Sequence, residues 1–355
     1  MNNMTEDNET GKNPFEYGRY AHKKYMILAA ALLVVLIVFV IDLFFSIPYI
    51  DPAVLIDTFL HPDQNSKVMN VILWDLQMPT VVAGVVCGAA FGLAGAIMQT
   101  LLNNPLASPY TLGISAGAGF GASFAMVIGL GGLAVLGTYM VPFAAFLFAM
   151  MATGGIFLIA KTKGFNADIM VLAGIGLVFL FQALQSLMQY LASPDALSGI
   201  VFWTFGSLNG IEWEQVAIIT VLFIIAFVLI YRKSWALTAM KLGDRRAESL
   251  GIDTQGMRKW MFVLIALLTA TCVAFVGCIG FIGIVGPHVA RMILGEDQRY
   301  LLPMSCLCGA IILVCADILC GTITSGMEYP IGIFTSIVGV PFFFYLIAKK
   351  KGGSA

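Results

Sequence analysis

Residues 76–109 read LQMPTVVAGVVCGAAFGLAGAIMQTLLNNPLASP, and they open a run of 85 residues, 76–160, without one Asp, Glu, Lys or Arg. The whole 355-residue chain is 59% hydrophobic and only 11% charged, where a soluble domain carries roughly 25% charged residues. A soluble core has no use for so long a neutral stretch. A bilayer does, because a spanning helix takes about 20 apolar residues. Backbone polar groups in lipid must pair within the protein, and uninterrupted apolar runs do so as helices, whereas barrel strands alternate. The expected fold class is an all-α polytopic membrane protein.

Turn signals divide the neutral run. NNPLASP at 103–109 and the glycines Gly129, Gly131 and Gly132 cut it into three helices. Single spans follow at about 168–192 and 214–231. The run Met261–Ala290, punctuated by Gly277, Gly280, Gly283 and Gly286, splits into one full and one shorter span. Two more cover about 301–320 and 329–348, and with the first run, Tyr25–Ile47, the expected total is ten. That first run is too long for a signal-peptide core and follows a polar tail.

Ten spans put both termini on one side, and the excess of Lys and Arg on cytoplasmic loops makes that side the cytoplasm. The arrangement leaves 18 of the 19 Lys and Arg inside and only Lys67 outside. The outer loops are acidic, with Asp51, Asp57, Asp63, Asp75, Asp195, Glu212, Glu214 and Glu328. The expected layout is a cytoplasmic tail at 1–24, a ten-helix domain at 25–348 and a cytoplasmic tail at 349–355. LSGIVFWTFGSLNG at 197–210 reads as an outer interfacial helix anchored by Trp203. A net charge of −1 gives no indication of nucleic acid.

One segment is out of character: ALTAMKLGDRRAESLGIDTQGMRKW, 236–260, holds Lys241, Arg245, Arg246, Arg258 and Lys259 beside Asp244, Glu248 and Asp253. It reads as two short helices, with Asp244 capping the second and Gly243 and Gly251 as stops. A solvated loop and a rigid knob for a cytoplasmic partner both fit the pattern. The chain has no G-x-x-x-x-G-K-[ST] phosphate loop, so ATP chemistry would need a separate protein.

Other residues are weighed on their neighbours. The seven cysteines fall in apolar segments and read as small buried hydrophobes. His22, His61 and His288 are far apart, so no metal set or nucleophile–base pair is legible. His288 reads as structural, at the end of the eighth helix beside Arg291, and Asp317 as a water-facing helix end. Gly84, Gly88, Gly92 and Gly95, four or three apart, suit close helix packing in lipid. Gln99, Asn103 and Asn104 either line an exit or hydrogen-bond the turn at Pro105. Asn166 or Asp168 suits a helix cap.

Four stretches in order carry a resemblance: GAAFGLAGAIMQTLLNNPLASPYTLGISAGAGFGA (88–122), LGDRRAESLG (242–251), GCIGFIGIVGPHVARMILGEDQRYLLP (277–303) and YPIGIFTSIVGVPFFFYLI (329–347). The chain, from about residue 25 to 348, closely resembles the FecCD permeases, the membrane subunits of ABC importers for iron–siderophores, haem and vitamin B12. The resemblance implies coupling helices at about 235–252 that sit in a cleft of the ATPase, with Leu242, Gly243, Arg245, Ala247, Leu250 and Gly251 as contacts. It implies a cytoplasmic gate at Asn166, Ala167 and Asp168, and a path along the second, fifth and tenth helices, with Gly84, Gly88, Gly92, Gln99, Asn103, Asn104 and Gly174 as candidates. Implied partners are two copies of an ABC ATPase, which uses ATP and Mg, an extracellular or periplasmic binding protein, and a second permease, identical or paralogous. The chain itself is expected to bind no cofactor or metal and to be no enzyme, and its expected seat is the bacterial cytoplasmic membrane.

One departure stands out. Where these permeases show Arg-Leu-Pro-Arg before the second helix, this chain has Gln77-Met78-Pro79-Thr80. The docking candidates become Asp75, Gln77, Thr80 and Glu328, and docking is expected to be less weakened by salt, or to use charges of swapped sign. The expected cargo is a ferric siderophore, with haem or cobalamin as alternatives. A gradient-driven transporter would need ionisable groups near mid-membrane, and the sequence shows almost none.

Overall fold

The computed structural model describes residues 14–47, 49–129, 137–163, 165, 167–323 and 330–350, all helix and turn among those residues. In chain order the helices are α1 (Pro14–Phe45), α2 (Pro52–Leu60), α3 (Lys67–Asn70), α4 (Met78–Leu101), α5 (Ile114–Val127), α6 (Gly137–Lys163), α7 (Ala167–Leu191) and α8 (Pro194–Phe205). They continue as α9 (Trp213–Tyr231), α10 (Ser234–Met240), α11 (Asp244–Ser249), α12 (Thr254–Val276), α13 (Ile282–Leu294), α14 (Gln298–Ile323) and α15 (Ile331–Lys350). Among the described residues, seven stretches are long and apolar enough to cross a membrane: Ala21–Phe45, Lys67–Leu101, Tyr139–Lys163, Ala167–Leu191, Trp213–Tyr231, Thr254–Val276 and Gln298–Thr322. Three shorter apolar helices, Ile114–Val127, Ile282–Leu294 and Ile331–Pro341, accompany them.

Helix α4 is the axis, buried along almost its whole length. It can be, because its small residues let neighbouring backbones touch it. A Cβ on Gly88 would lie 2.5 Å from the Gly309 carbonyl oxygen of α14, and one on Gly92 would collide with the Ser305 carbonyl. Below α4 lies a π-helical turn, Val71–Gln77. Pro79 brings no N–H and its ring crowds the carbonyl four residues back, and the register opens so that the Met78 amide reaches the Leu73 carbonyl instead.

Glycine also makes the break after α12. Gly277 has φ +70° and Phe281 φ +67°, and this left-handed passage returns the chain into α13. A Cβ on Gly277 would collide with the Trp203 carbonyl, so α8 rests on the bend. The Trp203 side chain is half-buried and packs against the core. His288 lies inside α13, not at its end. Gly131 and Gly132 lie outside the described residues.

The bundle has two polar ends. One gathers the starts of α1, α7, α12 and α14, the close of α4 and the pair α10–α11, with Trp235 and Trp260 61% and 75% exposed beside it, as aromatics at a membrane interface are. At the other, Asp42 of α1 is fully buried, and its carboxyl faces that of Asp317 on α14. Asp317 therefore turns toward a second acid in the helix seam, not out to water.

Candidate functional site

The site is assembled at the end that carries α10 and α11. Helix α10 is anchored by Leu237 and Met240, and α11 by Ala247, all buried in the main core. Leu242 and Leu250 remain 56% and 53% exposed, with Arg245, Arg246 and Gly251 on the same outer surface. Two exposed leucines, with the exposed Arg245, Arg246 and Glu248 between them in sequence, make a knob. Ala247 is not part of its outer face: it packs inward, and its carbonyl accepts the Ile252 amide at 3.1 Å. Gly243, φ +97°, turns the chain between the two helices.

Asp244 does not cap α11. It stands in the first turn and gives its carboxylate to Arg258, with Nη1 to Oδ2 at 2.8 Å and Nη2 to Oδ1 at 2.7 Å. Arg258 is 8% exposed, and its remaining donors go to main-chain oxygens, Nε to Leu101 at 3.1 Å and Nη1 to Phe165 at 3.2 Å. A second link joins Thr254 Oγ1 to Glu248 Oε1 at 2.8 Å.

Beside this clamp runs a network through Gln99. The Gln99 side chain is fully buried, and its Oε1 accepts from Arg291 Nη2 at 2.9 Å. Arg291 pairs in turn with Glu296 at 2.8 Å, and Lys241 reaches the same carboxylate at 3.6 Å. Burial pushes the Lys241 ammonium below the usual lysine range, and Glu296 works against that shift. Gln298, fully buried, donates Nε2 to Thr100 Oγ1 at 3.0 Å and its backbone amide to Thr238 of α10 at 3.1 Å.

The proposed path residues divide. Gly84, Gly88, Gly92 and Gln99 are buried between helices of the same chain. Gly174 is buried too, where a Cβ would sit 2.8 Å from the Leu112 side chain in the 3₁₀ turn Pro109–Leu112. Gly176, one turn-fraction further, meets open space. Asn104 accepts the Leu106 amide at 2.9 Å and so serves the turn at Pro105, while Asn103 is exposed with φ +45°. Of the gate residues, Asp168 is exposed and Ala167 half-buried, and Asn166 lies outside the described residues.

The docking candidates divide as well. Asp75 is exposed. Gln77 turns inward and donates to the Asp42 carbonyl at 3.0 Å and to Ser46 Oγ at 2.7 Å. Thr80 is buried with its hydroxyl on the Leu76 carbonyl at 2.8 Å. Gln77 is thus half-buried and Thr80 buried, and Glu328 lies outside the described residues. Arg258 and Asp42 were not singled out from sequence, because each reads as one charge among ordinary neighbours until the fold shows what it faces.

Comparison with known proteins agrees with this architecture. The FecCD transport family matches residues 32–349. The iron(3+)-hydroxamate import system permease FhuG of Bacillus subtilis is 30% identical over 337 residues, 93% of this chain and 98% of that protein. The vitamin B12 import system permease BtuC of Vibrio parahaemolyticus is 35% identical over 296 residues, 83% of this chain and 88% of that protein. A solved ABC transporter of metal-chelate type, in an inward-facing conformation, superposes with a TM-score of 0.79 at 29% identity, covering 91% of this chain and 99% of that one. The class is that of ABC importer permeases, multi-pass transport subunits and not enzymes. Within it, this chain belongs to the FecCD transport family.

Proposed function

We propose that the chain crosses the cytoplasmic membrane of a bacterium ten times, with both termini and the α10–α11 knob inside, and carries a ferric siderophore delivered by an extracellular binding protein. The seven long apolar stretches and the three shorter apolar helices support the ten crossings, and the Lys and Arg distribution supports the orientation. Haem and cobalamin are the alternative cargoes. Two ATPase subunits drive the cycle with ATP and Mg, and a second permease, identical or paralogous, completes the pathway.

The observation that carries the reading is the knob: a short helix pair with exposed Leu242 and Leu250, flanked by Arg245 and fixed from behind through Ala247 and Asp244. Nothing about a solvated loop asks for that rigidity. On this reading Leu242, Gly243, Arg245, Leu250 and Gly251 meet the ATPase. The exposed stripe of α7 supports a place on the pathway, since Asp168, Gly176, Gln182, Ala183 and Ser186 interrupt the apolar Leu172, Phe179 and Tyr190. A lipid-facing stripe has no reason to hold that many small and polar side chains. Asp168 and Ala167 then stand at the cytoplasmic mouth, with Asn166 beside them in sequence.

The test is purification of the chain from its native membrane in mild detergent. Recovery of an ATPase from the wild type, and its loss from the double charge reversal Arg245→Glu with Glu248→Arg, is the expected result. An intact, transport-active chain without an ATPase would refute the reading. The cargo is read separately, from the absorbance spectrum of the ligand on the co-purifying binding protein.

A further inference from the structure

We propose that Arg258 is the strut through which movement of α11 reaches the helices of the pathway. The proposal rests on the coupling role of α10–α11 given above. Arg258 is a buried cation with four hydrogen bonds to three separate parts of the chain: the Asp244 carboxylate of α11, the Leu101 carbonyl and the Phe165 carbonyl. Each of the three has a distinct meaning. Asp244 opens the helix whose outer surface carries Arg245 and Leu250. Leu101 is the last residue of α4, where a helix leaves carbonyls without an internal donor. Phe165 sits between α6 and α7, just before Ala167 and Asp168, and is itself held, with its ring 5.1 Å from that of Phe157 and under Lys259 Nζ at 5.1 Å.

The chemistry suits transmission rather than mere filling. A guanidinium is planar, its donors are fixed relative to one another, and the bidentate pair with Asp244 resists both sliding and rotation. Apolar contacts such as Ala247 against the core are not directional and allow sliding. Displacing Asp244 by an ångström must therefore drag the guanidinium, break the pair, or carry Leu101 and Phe165 along. Breaking it is the expensive route, because it leaves a buried charge without its counter-charge. Arg258 touches no cargo and no nucleotide, so it is a positioning residue. Its loss is expected to leave ATP turnover running with little transport.

The test uses the complete complex with its ATPase in lipid nanodiscs, followed by backbone hydrogen exchange at 99–113, 167–172 and 243–251, without nucleotide and after trapping with ATP and vanadate. In the wild type all three segments are expected to change on trapping. Asp244→Ala cuts only the limb to α11 and leaves Arg258 on its two carbonyls. In that variant the change at 243–251 persists, the change at 167–172 is lost, and the change at 99–113 falls, since α10 still reaches Thr100 through Gln298. Arg258→Met gives the same pattern, and Arg258→Lys, which keeps the charge without the fork, restores only part of the response. The quantity scored is the difference between nucleotide states, because a simple brace would raise exchange in both states and leave that difference intact. If Arg258→Met yields no folded protein, Asp244→Ala decides alone. Full responses at 99–113 and 167–172 in Asp244→Ala would overturn the strut and leave the coupling role standing. A wild-type complex in which 243–251 does not respond to nucleotide would overturn the coupling role itself.

Discussion

Gly92→Ala separates two meanings of the glycines on α4. If Gly92 faces a pathway, an added methyl narrows the path and leaves the fold alone. If it serves packing, the methyl strikes α14. The structure places the Ser305 carbonyl oxygen in collision with that methyl and the Ser305 carbonyl carbon 2.9 Å from it. Both are main-chain atoms, so no side chain can rotate away and the helix itself must shift. Overpacking of this kind costs about 1–3 kcal/mol, and the rigid neighbour puts Gly92 toward the upper end. Alanine returns about 1 kcal/mol in helix propensity, which leaves a net destabilisation of about 1–2 kcal/mol. Gly176→Ala is the control: its Cβ meets nothing within 4 Å, so only the propensity gain of about 1 kcal/mol remains.

The assay is thermal unfolding of the purified chain in detergent, with expression matched. Gly92→Ala should melt below the wild type and Gly176→Ala at or above it. The contact between Gly88 and Gly309 is reciprocal, each Cβ reaching the other's carbonyl. Either alanine alone pushes α4 and α14 apart, and the second then meets a gap already opened. The double variant should therefore lose less than the sum of the singles. A Gly92→Ala protein that melts with the wild type but transports poorly would refute the packing argument and return this face of α4 to the pathway.

Asp42→Asn should raise the melting temperature or leave it unchanged, since the carboxyl faces that of Asp317 in the helix seam, and an amide ends the confrontation of two acids at the same volume. Gln77→Ala should lower stability by about 1–2 kcal/mol through two lost hydrogen bonds, visible in melting, while binding-protein affinity across a salt series follows the wild type. The Asn65 amide, and then His61, hold the exposed Asp57 carboxyl below the usual carboxylate range. Its contribution is thus present above an unfolded pKa of about 3.9 and is lost as pH falls through the folded value. Pepsin nicking in the 60–66 turn, normalised to the rest of the chain, should rise across that window in the wild type and show no such rise in Asp57→Asn.

The elements legible in sequence were those set by solvent and backbone. The charge-free run, Pro105, Pro109 and the glycines at 277 and 280 mark helices and breaks through hydropathy and local geometry alone, and the bend after α12 falls where they mark it. Facing directions were not legible, because they depend on partners far away in sequence. Gly174 and Gly176 are indistinguishable as letters, yet one meets Leu112 and the other open space. Asp244 followed by a short helix looks like a cap until Arg258, on the next long helix, takes both its oxygens. Asp42 passed unremarked as one acid in an apolar run, and Gln77 and Thr80 read as docking residues only because they stand where the resembled family's motif has arginines.

The contrast between apolar and polar fastening explains why the functional end of this molecule is its charged end. Through the interior, α4, α13 and α14 meet by glycine seams whose geometry is fixed by main-chain contact, and such seams leave little room to deform. Helices α10 and α11 are too short to bury much surface, so their positions rest on a few directional bonds: Arg258 to Asp244, Thr254 to Glu248, and the Gln298 amide to Thr238. Two of these three join α11 to α12, and the third joins α10 to the start of α14. A partner that pushes the knob therefore acts on two different long helices through two different sets of bonds. The set through Arg258 continues to both Leu101 and Phe165, at the foot of α4 and the entrance to α7, whereas the Gln298 set continues to Thr100 of α4. If α7 lines the pathway, the shortest polar route from the knob to its mouth runs through one guanidinium, and a conservative lysine at that position keeps the charge but only part of the route.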